Sequence, residues 1–260
     1  WQRWPMAQKP LISGSPRTEQ RRQERLMAAI ERRFEPRIAR EIARAMREAV
    51  AYWQDNGYVP QLPDHRANIQ TIVQDIAKAS IKVFGARILM QQRGRELVIE
   101  RKDFAETLTR MSIRYITLET IRQRITSITD TTREQVITAT RRGFEEGLGT
   151  DATARIIREL VPSISRSRAH IIARTETHSA ANYGANAAAQ ETGLQLQKEW
   201  VASQDERTRE AHAEADGQIV NMDDPFEVGG EALMYPGDPN GSPELVIGCR
   251  CSVSHIVIDE

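Results

Sequence analysis

The stretch LMAAIERRFEPRIAREIARAMREAV, residues 26–50, places Leu26, Ile30, Phe34, Ile38, Ile42, Met46 and Val50 four residues apart, with arginine and glutamate filling most positions between them. That period is a helical one, because residues four apart lie on one face of an α-helix and a strand would need alternation. The spacing predicts a long amphipathic helix from about Thr18 to Gln54, with Pro36 as the place for a kink and Asp55, Asn56 and Gly57 as its end.

Working outward, the same period recurs. Ile69, Ile72, Val73, Ile76, Val83 and Phe84 form the stripe of a second helix over roughly Asp64 to Met90, with interruptions expected at Gly85 and Gly94. Asp103 reads as the N-cap of a third, whose period runs through Leu108, Met111, Tyr115, Leu118, Ile121, Ile125 and Ile128. Asp130, Thr131 and Thr132 then read as the cap of a fourth, closed by Gly147 and Gly149. Thr150 or Asp151 opens a short helix, and another follows Pro162 and Ser163 to about Gln190, surfaced largely with alanine. Beyond Gly193 the pattern changes to strand-like alternation at Leu194, Leu196 and Lys198 to Val201, then to Gly, Pro, Asp and Asn, and finally to the strand candidate SVSHIVI. The fold class expected is mainly α: long amphipathic helices in the N-terminal half, then a small α+β C-terminal domain. Expected boundaries are an irregular arm over 1–16, an extended helical bundle or stalk over 17–149, and the α+β domain over 150–260.

Composition narrows the function classes. Thirty-six basic residues balance 36 acidic ones, so overall charge does not call for nucleic acid. Cys249 and Cys251 are the only cysteines, too close for an unstrained disulfide and too few for a secreted framework, which points to assembly in a reducing compartment. No apolar run of about 18 residues suggests a membrane span, and the start lacks the order of a signal peptide. The chain opens at Trp1 instead of Met, as expected of a processed product or of a segment of a longer one. No phosphate loop, nucleophile elbow or H-E-x-x-H motif occurs.

The chemistry-bearing residues gather in the last third. Arg174, Glu176, His178 and Asn182 lie along one helix; the bland reading, that they bond loops of the C-terminal unit, outweighs a catalytic glutamate. His212 precedes Asp216 by four residues, so the two side chains could converge on one helical turn, and Cys249 with Cys251 could complete an N, O and S ligand set suited to zinc. Against this stands a reading in which Asp216 caps a turn, His212 bonds across the unit and the cysteines pack as small hydrophobes.

Taken in order, R-x-E with a following Asn, K-x-W, R-T-R-x-x-H-x-x-x-D-G, P-F, Y-P-G and C-R-C closely resemble the Mu F-like (SPP1 gp7-like) domain of phage minor head proteins. The matching positions are Arg174, Glu176, Asn182, Lys198, Trp200, Arg207, Arg209, His212, Asp216, Gly217, Pro225, Phe226, Tyr235, Pro236, Gly237, Cys249, Arg250 and Cys251. Gly248 stands where the family commonly has Asn before C-R-C. The resemblance implies a non-enzymic assembly factor of the virion head, present in the host cytoplasm during assembly. Its implied partners are the portal protein, major capsid or scaffold proteins, copies of itself and packaged DNA, with no membrane. Two alternatives stay open: a phage-encoded metal-dependent hydrolase, transferase or toxin-related domain using Glu176 and His212, and a non-specific DNA binder using the arginines of residues 17–47.

Overall fold

The computed structural model describes residues 9–11, 15–91 and 101–258. Helix dominates it: α1 (Pro16–Asn56), α2 (Pro63–Gln91), α3 (Arg101–Ile116), α4 (Glu119–Glu145) and α5 (Thr150–Gln190) precede a small mixed region. That region holds β2 (Leu196–Val201), α6 (Glu210–Glu214), β3 (Ile219–Asn221), β4 (Phe226–Val228), β5 (Glu231–Leu233), α7 (Pro243–Val246) and β6 (Ser252–Val257), while β1 (Lys9–Pro10) comes from the chain's start. The class is therefore the expected one, mainly α with a small α+β C-terminal part. No described helix is long and apolar enough to cross a membrane.

The four-residue stripe of α1 is its buried face: Ile30, Phe34, Ile38, Ile42, Met46 and Val50 are all in the core, and only Leu26 is half-buried. Helix α1 runs unbroken through Pro36, which stands on the exposed side, where the carbonyl that loses its N–H partner can be served by water. It stops at Gly57, whose φ of +78° lets its N–H reach back to the Trp53 carbonyl at 2.8 Å.

Several boundaries differ from those the sequence predicts. The break between the third and fourth helices falls at Thr117–Leu118, and α4 passes straight through Asp130, Thr131 and Thr132. The hydroxyls that look like caps bond back into the helix instead, Thr131 Oγ1 to the Ser127 carbonyl at 2.7 Å and Thr132 Oγ1 to that of Ile128 at 3.0 Å. Asp103 lies in the first turn of α3 and is not its cap. Gly85 does not interrupt α2; a Cβ there would come within 2.8 Å of Leu108 Cδ2 and 3.4 Å of the Gly184 carbonyl, so it is a packing glycine. Gly94 lies outside the described residues. Helix α5 continues through Pro162, again an exposed proline. In the expected irregular arm, Lys9 and Pro10 form an edge strand on β6, and Leu11 N–H bonds the His255 carbonyl at 2.8 Å.

The strands form an antiparallel sheet ordered β1-β6-β2-β3 and a separate β4–β5 hairpin. Gly229 and Gly230, both at positive φ, make the tight hairpin turn. The chain divides into two compact units, each discontinuous in sequence. One comprises Glu31–Asp75 and Thr117–Ala173. It is helical, and inside it His65 bridges Glu41 (2.9 Å) and Thr132 (3.1 Å), with Arg168 bonded to Thr132 (2.6 Å) and the Ile128 carbonyl (2.8 Å). The other comprises Trp1–Ile30, Ile76–Ile116 and Arg174–Glu260, and holds the sheet.

Candidate functional site

From Arg174 to Ala189, α5 is buried almost all round. Its residues are small or polar, so neighbours come close and its polar atoms must find partners inside. Asn182 does this for three chain segments at once: Nδ2 donates to the Pro236 and Cys251 carbonyls, both at 3.0 Å, and Oδ1 accepts from Val253 N–H at 3.1 Å. Ser179 Oγ accepts from the Tyr115 hydroxyl (2.8 Å) and donates to the Gly237 carbonyl (2.6 Å). Gly237, at φ +79°, has no room for a side chain, since its Cβ would lie 3.2 Å from Ser179 Cα. The Y-P-G turn is thus shaped to sit on α5. Asp238 closes the loop by accepting from Met234 N–H (2.8 Å) and Asn240 N–H (3.0 Å), and Thr175 Oγ1 accepts from Gly248 N–H at 3.0 Å. Arg174, Glu176 and His178 are engaged in interactions of their own, and Glu176 is only 2% exposed.

The sheet carries a buried cation. Lys198, on β2, has no exposed surface; its Nζ donates to the Met234 carbonyl at 2.9 Å and lies 5.3 Å from the centre of the Phe226 ring. Burial pushes its ammonium down to about 8, against the pull of Asp223, Asp238 and Asp224. Opposite it on β6, buried His255 is pushed down to about 3, first by burial and then by the charge of Lys198. At neutral pH the pair is therefore a charged lysine beside an uncharged imidazole. Trp200, two residues along β2, packs edge-on against Phe226 and against His212, ring centres 5.4 and 5.5 Å apart.

The expected zinc ligands divide. His212, Cys249 and Cys251 come together: Nδ1 lies 3.8 Å from Cys249 Sγ and 3.4 Å from Cys251 Sγ, and all three residues are buried. A hydrogen bond from Cys251 pushes the Cys249 thiol down, and the same contact, with burial, pushes Cys251 up. Asp216 is elsewhere. Its carboxylate pairs with Arg17 and accepts from Ala202 N–H (2.8 Å) and Gln204 Nε2 (2.7 Å). The four-residue spacing from His212 fails as a ligand spacing because α6 ends at Glu214, so the chain has left the helix before Asp216. Gly217, at φ +77°, then turns back with its N–H on the Trp200 carbonyl at 2.8 Å.

Of the other motif residues, Arg209 donates to the Ile247 carbonyl, Arg250 forms a two-pronged pair with Asp205, Arg207 and Pro225 are exposed, and Phe226, Tyr235 and Pro236 are buried. Sequence reasoning missed Arg17, Tyr115, Ser179, Asp238 and His255. Tyr115 and His255 had a local signal, the first in a helical apolar stripe and the second in the apolar strand candidate SVSHIVI, nearly all of which is buried.

Residues 134–254 match the family model described as Phage Mu protein F like protein. The chain is 31% identical over 121 residues to "Minor head protein GP7" of Bacillus phage SPP1, covering 45% of this chain and 39% of that protein. It is 34% identical over 118 residues to "NAD(+)--arginine ADP-ribosyltransferase EFV" of Enterococcus faecalis (44% and 24%), and 29% identical over 101 residues to "Uncharacterized protein YqbB" of Bacillus subtilis (37% and 33%). The aligned part thus spans well under half the length of each of these relatives. No solved structure matches the chain.

Proposed function

We propose, from the match of residues 134–254 to the Phage Mu protein F like family model, that the chain is a bacteriophage minor head protein acting as a structural factor in head morphogenesis. In this reading it joins the portal vertex and the capsid or scaffold proteins during assembly in the host cytoplasm and stays in the virion head. Residues 150–260 form the head domain, and the helices of residues 17–149 carry the partner contacts. The observation that supports it most is the use made of the motif residues. Asn182, with Ser179 beside it, ties the backbone of Pro236, Gly237, Cys251 and Val253 to α5 from the inside, which is what a domain built to hold a shape requires.

The enzyme reading asks Glu176 and His212 to work on a substrate, yet each is 2% exposed. A general acid or base must reach the reacting atom. The likeness to an ADP-ribosyltransferase covers 24% of that protein, and in this reading the shared part is a head-type domain coupled there to a separate activity. A contact with packaged DNA has one feature in its favour: Arg21, Arg22, Arg25, Arg32, Arg33, Arg40 and Arg47 are all exposed on α1. Such contact would be sequence-independent and steeply salt-dependent.

Imaging procapsids and full heads by cryo-electron microscopy without imposed portal symmetry, alongside mass spectrometry of the same particles, tests the proposal. The chain is expected in the particles, with density against the portal vertex or the inner shell. Absence from every head-related particle overturns the reading. NAD+-dependent labelling of an arginine-rich acceptor by the purified chain would move the enzyme reading ahead.

A further inference from the structure

We propose that His212, Cys249 and Cys251 bind one zinc ion through three protein ligands, and that the ion staples α6 to the segment leading into β6. The donors come from two places far apart in sequence: His212 from the five-residue α6, and Cys249 and Cys251 from the segment between the four-residue α7 and β6. Each is at most 2% exposed, and their ligand atoms all lie within 4.8 Å of one another.

The geometry fits a tetrahedral ion. Bonds of about 2.3 Å to sulfur and about 2.0–2.1 Å to nitrogen give nitrogen–sulfur edges of roughly 3.5 Å. The two edges in the structure are 3.4 and 3.8 Å, so an ion at the centre needs shifts of only a few tenths of an ångström. Two thiolates and an imidazole are soft and intermediate donors, a set that selects zinc over the oxygen-seeking magnesium and calcium. A dication also neutralises two buried thiolates, leaving no net charge among the ion and its three protein ligands. The ring already presents Nδ1 to both sulfurs, while Nε2, on the far side, has no hydrogen-bond partner; the neutral tautomer with its proton on Nε2 leaves the Nδ1 lone pair free for the metal.

Local structure around the site is poorly supported without a tie. Helices of four and five residues and a hairpin of three-residue strands are each too short to persist alone. An ion holding residue 212 to residues 249 and 251 closes the whole loop between them. Asp216 is not a ligand, since Arg17, Ala202 and Gln204 occupy its carboxylate. Among the described residues no further His, Cys, Asp or Glu joins the group, so solvent completes the coordination.

The test uses the full chain, purified reduced and dialysed after growth with added zinc. Elemental analysis should find about one zinc per chain, and titration with an organic mercurial should release it as two thiols react. Replacement by cobalt should give a thiolate-to-cobalt charge-transfer band and the intense visible bands of a tetrahedral ion. Cys251→Ser and His212→Ala should weaken metal binding on the order of 100-fold or more, whereas Asp216→Asn should keep the cobalt spectrum. The mercurial titration needs no variant, so a misfolded mutant leaves the proposal open to refutation. Zinc far below one per chain with no cobalt band overturns it. So does a Cys249–Cys251 disulfide in the reduced preparation, or a cobalt spectrum lost in Asp216→Asn and kept in His212→Ala.

Discussion

Helices α1 and α5 are both 41 residues long, and both carry a proline inside, yet they are held in the fold by different forces. Helix α1 buries one face lined with Phe34, Ile38, Ile42 and Met46 and gives the opposite face to arginine and glutamate. Its stability comes from apolar area, about 25 cal/mol per Å2 removed from water. The second half of α5 is enclosed on nearly every side by neighbours that touch Ala180, Ala181, Ala185, Ala188 and Ala189, and its interior bonds run through Ser179 and Asn182. A stripe tolerates rough fit. A helix enclosed on all sides depends on every polar atom finding its partner and every small residue staying small.

The largest effect should come from Asn182→Leu. It leaves two carbonyls and one N–H buried without their partner, at about 1–3 kcal/mol each, for a total of roughly 3–9 kcal/mol. Ile42→Ala in α1 should cost about 2–5 kcal/mol from lost transfer energy and cavity. Urea midpoints of the two variants, measured side by side, decide the comparison. If Ile42→Ala proves the more damaging, hydrogen bonding is not what holds α5.

Next in size is a pH effect confined to the sheet that α5 supports. Lys198 has its folded pKa pushed down to about 8, below the ordinary 10.5, so the unfolded chain binds more protons between those values. Stability should therefore rise as pH climbs from about 8 towards 10.5, by on the order of 2–3 kcal/mol, and Lys198→Met should abolish the rise. The sign is the same for His255 in a lower window. Its folded pKa is about 3 against an ordinary 6.5, so stability should fall as pH drops from 6.5 towards 3, and His255→Leu should flatten that slope. Denaturant midpoints across both windows, taken as differences between wild type and variant, cancel the other titrating groups.

These contrasts also explain what was legible in the sequence. The stripe of α1 could be read because large apolar residues recur with a fixed period, and the same holds for α2. Breaks were misread wherever one residue type serves two purposes: Thr131 and Thr132 resemble caps but bond back within α4, and Gly85 resembles a stop but admits a neighbour's backbone. A helix such as the second half of α5, buried all round with small side chains, has no period to find. At the site, ordered motifs pointed to Asn182, Lys198, His212 and the cysteines, because residue type and order survive without coordinates. Their partners did not appear, since Tyr115 and Arg17 are 64 and 199 residues from Ser179 and Asp216. The expected ligand Asp216 assumed a helix longer than the one that forms.

A smaller effect probes packing alone. Gly184→Ala in α5 would place Cβ 2.9 Å from the Cα of Ile81, a backbone atom that cannot step aside. Helix propensity favours alanine by about 1 kcal/mol, but forced displacement should outweigh it and leave a net loss of about 1–3 kcal/mol. Thermal unfolding of the variant would show a lowered midpoint. A raised midpoint would mean that α2 and α5 can move apart without cost, contrary to the enclosed character of α5.

The smallest effect lies on the outer face of α1, where Arg44 stands between Glu41 and Glu48. Glu48 is more than half exposed, so Glu48→Gln should change stability by less than about 0.5 kcal/mol, and that little should vanish in high salt. Glu41 faces the same arginine but also accepts from buried His65 at 2.9 Å, and these contacts pull its carboxyl below the ordinary range against the opposing push of burial. Glu41→Gln should therefore cost more than Glu48→Gln and keep most of its effect in salt. Equal, salt-sensitive losses in the two variants would mean that the polar core between α1, α2 and α4 contributes no more than a surface ion pair.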